Sequence, residues 1–130
     1  MDDKSAYWLE LCDYDIETAK AMQKTGRYLY VGFMCHQVIE KSLKAVIARD
    51  CNEAQFPPKI HHLLKLADRA GLYEKMSPEQ QAFIKEMNSK NVETRYPEHK
   101  QEIAVELSAE ICDTLIAETE EFLCWIKAQL

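Results

Sequence analysis

The chain has 130 residues, of which 47% are hydrophobic and 29% are charged, so it is long enough to bury one hydrophobic core. Its 22 acidic residues outnumber its 16 basic residues, and the net charge of −6 disfavours extended binding to DNA, which depends on neutralised phosphates. The first thirty residues carry too many charges for a secretion signal or a membrane span. We therefore expect a single domain over residues 1–130, located in the cytoplasm and not at a membrane.

Helical periodicity dominates the chain, and no segment has a convincing strand pattern. Gly26 and Gly71 are placed to end helices, adjacent prolines predict a loop over residues 52–60, and Ser77 with Gln80 forms a capping box. These signals predict five helices, over about residues 3–24, 28–49, 62–70, 78–88 and from 98 onwards. Because no sheet receives their apolar stripes, the helices must bury them on each other. We expect an all-α fold, an up-and-down four-helix bundle with a short additional helix.

The last predicted helix follows a break in the pattern over residues 88–97 and runs for up to eight turns. The apolar residues predicted on its inner face are Ile103, Leu107, Ile111, Leu115, Phe122 and Ile126. The acidic residues predicted on its outer face are Glu102, Glu106, Glu110 and Asp113. This outer face leaves open a plain scaffold that binds a partner through an acidic surface, although such a charge run is more often a solvated face.

The five cysteines favour neither a disulfide framework nor a zinc site, because their number is odd and no C-x-x-C pair occurs. They are Cys12, Cys35, Cys51, Cys112 and Cys124, and four of them lie inside predicted helices. We expect buried thiols that pack as small hydrophobic groups. We expect no metal site and no cofactor.

The second helix carries an unusual polar stripe of His36, Gln37, Glu40, Lys41 and Lys44, flanked on both sides by apolar residues. Residues three and four apart share a helix face, so these side chains form two adjacent ladders. One interpretation is an ordinary amphipathic helix, in which the i,i+4 pair of Glu40 and Lys44 contributes only about 0.2–0.5 kcal/mol. The other interpretation is a ligand-binding site, and the sequence leaves both open.

Three short motifs follow one another along the chain. They are Q-V-I-E-K-S-L-K-A-V over residues 37–46, I-H-H-L-L-K-L over residues 60–66, and R-Y-P over residues 95–97. Together, in this order, they resemble the HEPN domain. The resemblance covers nearly the whole chain and implies a four-helix bundle with a short extra helix, usually a homodimer. It also implies two function classes. Some family members pair with a small nucleotidyltransferase in toxin–antitoxin modules, and others are ribonucleases that need no metal.

The ribonuclease branch of the family carries Arg, four to six intervening residues and His at the start of the last helix. A histidine exchanges protons with the ribose 2′-hydroxyl and the leaving oxygen, and an arginine stabilises charge on phosphorus. Here Arg95 and His99 have only three residues between them, including Pro97, and Tyr96 stands where the branch usually has a small polar residue. Arg95 and His99 are therefore the catalytic pair only under the alternative of a metal-independent endoribonuclease.

The binding interpretation places Arg95, Lys41 and Lys44 around a phosphate, with Tyr96 offering its ring to a base or ribose. Under the structural interpretation, Arg95 pairs with a carboxylate such as Glu40 and His99 is exposed. We favour a module that binds a nucleotide and partners a small nucleotidyltransferase. The ligand would be a nucleotide or RNA, held by the polar stripe together with Arg95 and Tyr96.

His61 matches the histidine that the family carries before the third helix, whereas His62 replaces a common aspartate. Adjacent histidines point to different sides of a helix, so they do not form a metal pair. We expect His62 to pack or to cap the helix. Several aromatic and apolar residues fall outside the core-facing stripes and predict a contact surface. These residues are Tyr7, Trp8, Leu11, Tyr14 and Trp125. We expect a homodimer, although the sequence leaves open whether this surface meets another copy of the chain or a different protein.

Overall fold

The computed structural model describes residues 3–50, 61–95 and 108–130, apart from the side chains of residues 89–95. Every regular element within these ranges is helical, so the all-α prediction is confirmed. The elements are α1 (Asp3–Lys24), α2 (Tyr28–Arg49), α3 (Leu63–Arg69), a 3₁₀ turn (Tyr73–Lys75), α4 (Pro78–Arg95) and α5 (Ala109–Gln129). The first two helices have the predicted bounds, and α3 differs by one residue at each end.

Helices α1 and α2 form the most extensive pair and run antiparallel. The Ser5 hydroxyl donates to the Ala45 carbonyl at 2.8 Å, near one end of the pair. Further along, the Cys12 thiol donates to the Val38 carbonyl oxygen at a distance of 3.5 Å. Residue numbers rise along α1 while those of the contacted residues in α2 fall, so the two helices are antiparallel.

Helix α5 packs against both members of this pair. It is antiparallel to α1, because the Gln23 amide donates to the Ala109 carbonyl at 2.8 Å and Lys127 contacts Asp13 at 3.0 Å. It contacts α4 through the rings of Phe83 and Phe122, and α4 in turn contacts α2. The four long helices thus form an up-and-down bundle, and α3 packs on α2 and α4 as the short additional helix.

The hydrophobic core lies between these helices and is mainly aliphatic. Its fully buried members come from every helix of the described ranges, which gives the bundle one continuous interior. The largest of these side chains are Ile39, Leu43, Leu63, Leu66, Ile84, Met87 and Ile126. Helix α2 contributes most, since it contacts α1, α3, α4 and α5.

The predicted helix ends follow from local hydrogen bonds. Gly26 has φ +74°, a left-handed conformation that residues with a side chain rarely adopt. Its N–H donates to the Gln23 carbonyl, and the Arg27 N–H donates to the Met22 carbonyl, which together form a Schellman motif at the end of α1. At the start of α4, Ser77 and Gln80 exchange side-chain and backbone bonds at 2.9 and 3.1 Å. The predicted capping box is therefore confirmed.

The end of α4 and the start of α5 differ from the prediction. Helix α4 continues to Arg95 instead of stopping near Asn88, because no glycine or proline occurs over residues 89–95 to interrupt it. Helix α5 begins at Ala109 instead of near residue 98, since the Ser108 side chain accepts from the Ile111 N–H and caps it there. The predicted loop over residues 52–60 and the stretch 98–107 lie outside the described residues.

Two burial predictions are wrong. The sequence predicts Ile111 on the inner face of the last helix, yet it is 48% exposed in the first turn of α5, which begins at Ala109. Cys124 is exposed, whereas Cys12, Cys35 and Cys112 are buried as expected. Cys51 lies outside the described residues. Among the helices of residues 3–50, 61–95 and 108–130, none combines the length and apolar character that a membrane span requires.

Candidate functional site

Glu40 is the centre of a buried charge network on α2. Its side chain is only 4% exposed, and its two oxygens face different partners. Oε2 accepts a hydrogen bond from Lys44 Nζ at 3.1 Å, and Oε1 lies 2.9 Å from His61 Nδ1 and 3.8 Å from His36 Nδ1. A carboxylate at this depth requires partners, because desolvating an unpaired charge is costly. Much of the predicted stripe is therefore a paired buried network.

Lys44 is held between two helices. Its side chain is 8% exposed, which is a rare degree of burial for lysine. Besides the bond to Glu40, its Nζ lies 5.7 Å from the centre of the Trp8 ring on α1, within the range of a cation–π contact. The ammonium group therefore joins α1 to α2, and its charge is already compensated inside the protein.

Lys41 joins the same two helices through an ion pair. Its Nζ lies 2.6 Å from Asp15 Oδ2, and the two side chains are 22% and 8% exposed. This is a short, charge-assisted hydrogen bond. Lys41 is thus more accessible than Lys44, and it stands at the outer edge of the stripe.

Gln37 lies one turn before Lys41 on the same helix face. Its Nε2 atom is buried and has no hydrogen-bond partner among the residues that the structure describes. A buried amide donor in this state costs about 1–3 kcal/mol. An acceptor oxygen supplied by a ligand would remove that cost, so Gln37 is the stripe residue with the clearest unused bonding capacity.

The residues at the start of α3 hold His61 in contact with Glu40. The next residue, His62, caps α3, because its Nδ1 accepts from the Lys65 N–H at 3.4 Å, and this confirms the capping prediction. Asn88 of α4 strengthens the same turn by accepting from the Leu63 N–H at 2.8 Å. Bonds from two helices therefore hold the backbone that places His61 beside Glu40.

The contact between His61 and Glu40 defines which nitrogen of the imidazole faces outwards. An ionised carboxylate only accepts hydrogen bonds, so Nδ1 carries the proton that points at Glu40. The Nε2 atom then remains available on a side chain that is 51% exposed. In the neutral ring Nε2 accepts a proton or a hydrogen bond, and in the protonated ring it donates to an anion. A buried carboxylate behind a half-exposed histidine is an arrangement that orients the ring for either role.

The predicted site residues divide into two groups. His36, Gln37, Glu40, Lys41 and Lys44 lie together on α2, with the first, third and last of them buried. Arg95 is the final residue of α4, but its side chain lies outside the described residues. Tyr96 and His99 also lie outside them, so the convergence of the R-Y-P motif on α2 remains a prediction.

Three residues of the network were not predicted as site residues. His61 was noted for its family position only, and its bond to Glu40 joins elements that are 21 residues apart in sequence. Asp15 and Trp8 lie on α1, and each contacts a lysine of α2. The sequence did contain a signal for Asp15, because an aspartate on the inner, apolar face of an amphipathic helix requires a partner.

The buried thiols of Cys12 and Cys35 are poor nucleophiles. Burial, assisted by the nearby carboxylates of Asp15 and Asp13, raises the pKa of Cys12 to about 12. Burial likewise raises the pKa of Cys35 to about 12. Both therefore stay protonated at neutral pH. Within the described ranges no three His, Cys, Asp or Glu side chains are grouped as metal ligands.

Comparisons with known proteins agree with this architecture. The fold is similar to that of TT1696 from Thermus thermophilus, with a TM-score of 0.79 and 20% sequence identity over 99% of this chain and 100% of that chain. No curated protein matches the chain. The HEPN domain matches residues 5–129. Because this match spans nearly the entire chain, the protein belongs to the HEPN domain family.

Proposed function

We propose that this HEPN protein is the partner of a small nucleotidyltransferase in a toxin–antitoxin-like module, and that it contributes a nucleotide-binding face on α2. The observation that carries the proposal is a polar face on α2 at which buried carboxylates hold two basic side chains. The half-exposed His61 contacts Glu40, and the partly exposed Lys41 contacts Asp15. The third group is the buried amide donor of Gln37, which has no hydrogen-bond partner among the described residues.

The chemistry of these three groups suits a phosphate. Imidazolium, ammonium and amide N–H groups all donate to phosphate oxygens, and the charged donors give the stronger bonds. The ion pair with Lys44 compensates the Glu40 charge, which would otherwise oppose an anion. Arg95 and Tyr96 would complete the site if the R-Y-P motif lies beside α2.

The proposal extends to the assembly of the protein. We propose that residues 1–130 form one domain that acts in the cytoplasm as a homodimer. Tyr7 is 57% exposed and Tyr14 is 74% exposed, and both lie on the outer side of α1. Exposed aromatic side chains one heptad apart support a contact surface on this helix.

The first test is a tagged pull-down from the native host combined with nucleotide titration calorimetry on the purified protein. Recovery of a small nucleotidyltransferase in near-equal amount supports the partner role. Heat on titration with ATP, together with an affinity for ATP that falls about tenfold in His61→Ala, supports the binding face. The matched control is Lys24→Ala, which removes an exposed charge at the end of α1. Absence of both the partner and the heat would overturn the proposal.

A metal-independent endoribonuclease is the second candidate. The observation in its favour is that α4 continues to Arg95, so a helix that packs on α2 and α3 carries the backbone of this arginine. The test is cleavage of a labelled RNA in EDTA by wild type, Arg95→Ala and His99→Ala, with Arg69→Ala as the control at an exposed position. Cleavage lost in the first two variants only would favour the ribonuclease over the partner role.

A further inference from the structure

A groove runs between α4 and α5, and none of the residues that line it belongs to the proposed nucleotide-binding face. It contains two adjoining cavities of about 120 and 520 Å³, which share Phe83 and Glu118 in their walls. The floor is apolar, since Phe83, Leu115 and Phe122 are each less than 10% exposed. Ile111 stands at one end of the groove with 48% of its surface exposed. The groove therefore offers apolar surface in a concave shape.

Every described charged residue that lines the groove is acidic. The lining carboxylates are Glu79, Glu86, Glu110, Glu118 and Glu121, and no described lysine or arginine lines either cavity. In the part of the chain that the structure describes, Glu79, Glu110, Glu118 and Glu121 form no ion pair. Burial raises the pKa of Glu118, and the neighbouring Glu86 and Glu121 raise it further. A cationic occupant would relieve this repulsion.

We propose that the groove between α4 and α5 binds a basic amphipathic helix of a partner protein. Apolar side chains of that helix would pack on Phe83, Leu115 and Ile111, and its lysines or arginines would pair with the glutamates on both sides. The positions of Glu79 and Glu86 span seven residues of α4, or about 10 Å, which matches two turns of a bound helix. Helix-in-groove binding uses this combination of apolar anchors and flanking charges.

A second copy of this chain is a poorer occupant. A two-fold symmetric contact places the same patch of each copy against the other, so five glutamates would face five glutamates. Like charges opposed at an interface cost several kcal/mol. Nucleic acid is excluded by the same argument, because its phosphates carry the same sign of charge as the rim. The charge pattern thus selects a basic polypeptide.

The test uses a capped peptide of about 18 residues, made of leucine, lysine and alanine, with leucines at helical spacing. Its binding to the full chain is measured by fluorescence anisotropy and by chemical-shift mapping. We expect shifts at α4 and α5, and affinity that falls with added salt. The control peptide replaces every lysine with glutamate and should not bind. No binding of the lysine peptide at millimolar concentration, or equal binding of both peptides, would overturn the proposal.

Substitutions in the chain test whether the peptide binds in the groove. Glu118→Lys and Ile111→Ser should each lower the affinity about tenfold, because one reverses a rim charge and the other removes an exposed anchor. Glu10→Lys makes the same charge change at an exposed position on α1 and should change the affinity less than about twofold. If Glu118→Lys disturbs folding in circular dichroism, Glu110→Gln at an exposed position replaces it. Equal loss in the groove and α1 variants would show nonspecific attraction and refute the site.

Discussion

Replacing Glu40 by glutamine is the sharpest test of the buried network. The change keeps the size and shape of the side chain but removes its charge. Lys44 would then carry an ammonium group, on a side chain that is 8% exposed, without its carboxylate partner. Among the described residues its remaining charge contact is the face of the Trp8 ring at 5.7 Å, which is worth about 0.5–2 kcal/mol. We therefore expect Glu40→Gln to destabilise the protein.

The magnitude follows from the separation and the burial of the pair. At 3.1 Å and an effective dielectric constant of about 20, the attraction between the two charges is about 5 kcal/mol before desolvation is considered. Removing one member of a buried pair costs about 3–5 kcal/mol, because the other charge stays desolvated. The contact with Trp8 offsets part of this cost. We expect a loss of about 3 kcal/mol in the free energy of unfolding.

The assay is urea unfolding followed by circular dichroism, with a double-mutant cycle. Lys44→Met in the Glu40→Gln background removes the stranded charge and should recover about 2 kcal/mol. Glu17→Gln is the control, since Glu17 pairs with Lys20 on the surface and is 72% exposed; its cost should stay below about 0.5 kcal/mol. A loss below about 1 kcal/mol for Glu40→Gln, with no recovery in the double variant, would refute the reasoning.

Three further predictions concern the folded state. Because burial raises the pKa of Cys12 and Cys35 from 9.0 to about 12, the unfolded chain loses these protons first and stability falls as pH rises through that window. At pH 10 the loss in the free energy of unfolding is about 1.4 kcal/mol per thiol. Urea unfolding at pH 8 and pH 10 should therefore show a smaller decline in this free energy for Cys12→Ala and for Cys35→Ala than for wild type. Equal declines would contradict the prediction. Ser77→Ala removes the cap of α4 and should lower the unfolding free energy by about 1 kcal/mol, whereas no change in the urea midpoint would show that another group caps the helix. Leu66→Ala leaves a cavity at a fully buried position of α3 and should cost about 2–5 kcal/mol in the same assay, and a loss under about 1 kcal/mol would mean that α3 is not anchored in the core.

The network also explains how one polar stripe can both stabilise the fold and contribute to the proposed binding face. Glu40, Lys44 and His36 are enclosed, so they do not face a ligand directly. His61 and Lys41 lie at the boundary with solvent, and each is oriented by a carboxylate of low exposure. The two interpretations of the sequence are therefore not exclusive, because the inner members of the stripe support the outer ones.

Local signals in the sequence determined the fold class and most helix ends. The spacing of apolar residues and the glycine and serine caps act within a few residues, so α1, α2 and α3 could be predicted to within one residue. The family also followed from short motifs, since each motif is a contiguous run. The errors at α4 and α5 arose where such signals were weak or misread, because Ser108 lacks a glutamate three residues later and residues 89–95 lack a strong helix breaker.

Only the tertiary structure decided which polar groups are paired. The bonds of Glu40 to His61 and of Lys41 to Asp15 join residues 21 and 26 positions apart, and periodicity within one helix cannot report such partners. The acidic groove likewise requires α4 and α5 side by side, because its two walls come from separate helices. A sequence pattern reports which face of a helix is polar, whereas burial and pairing depend on the neighbours that the bundle places against that face.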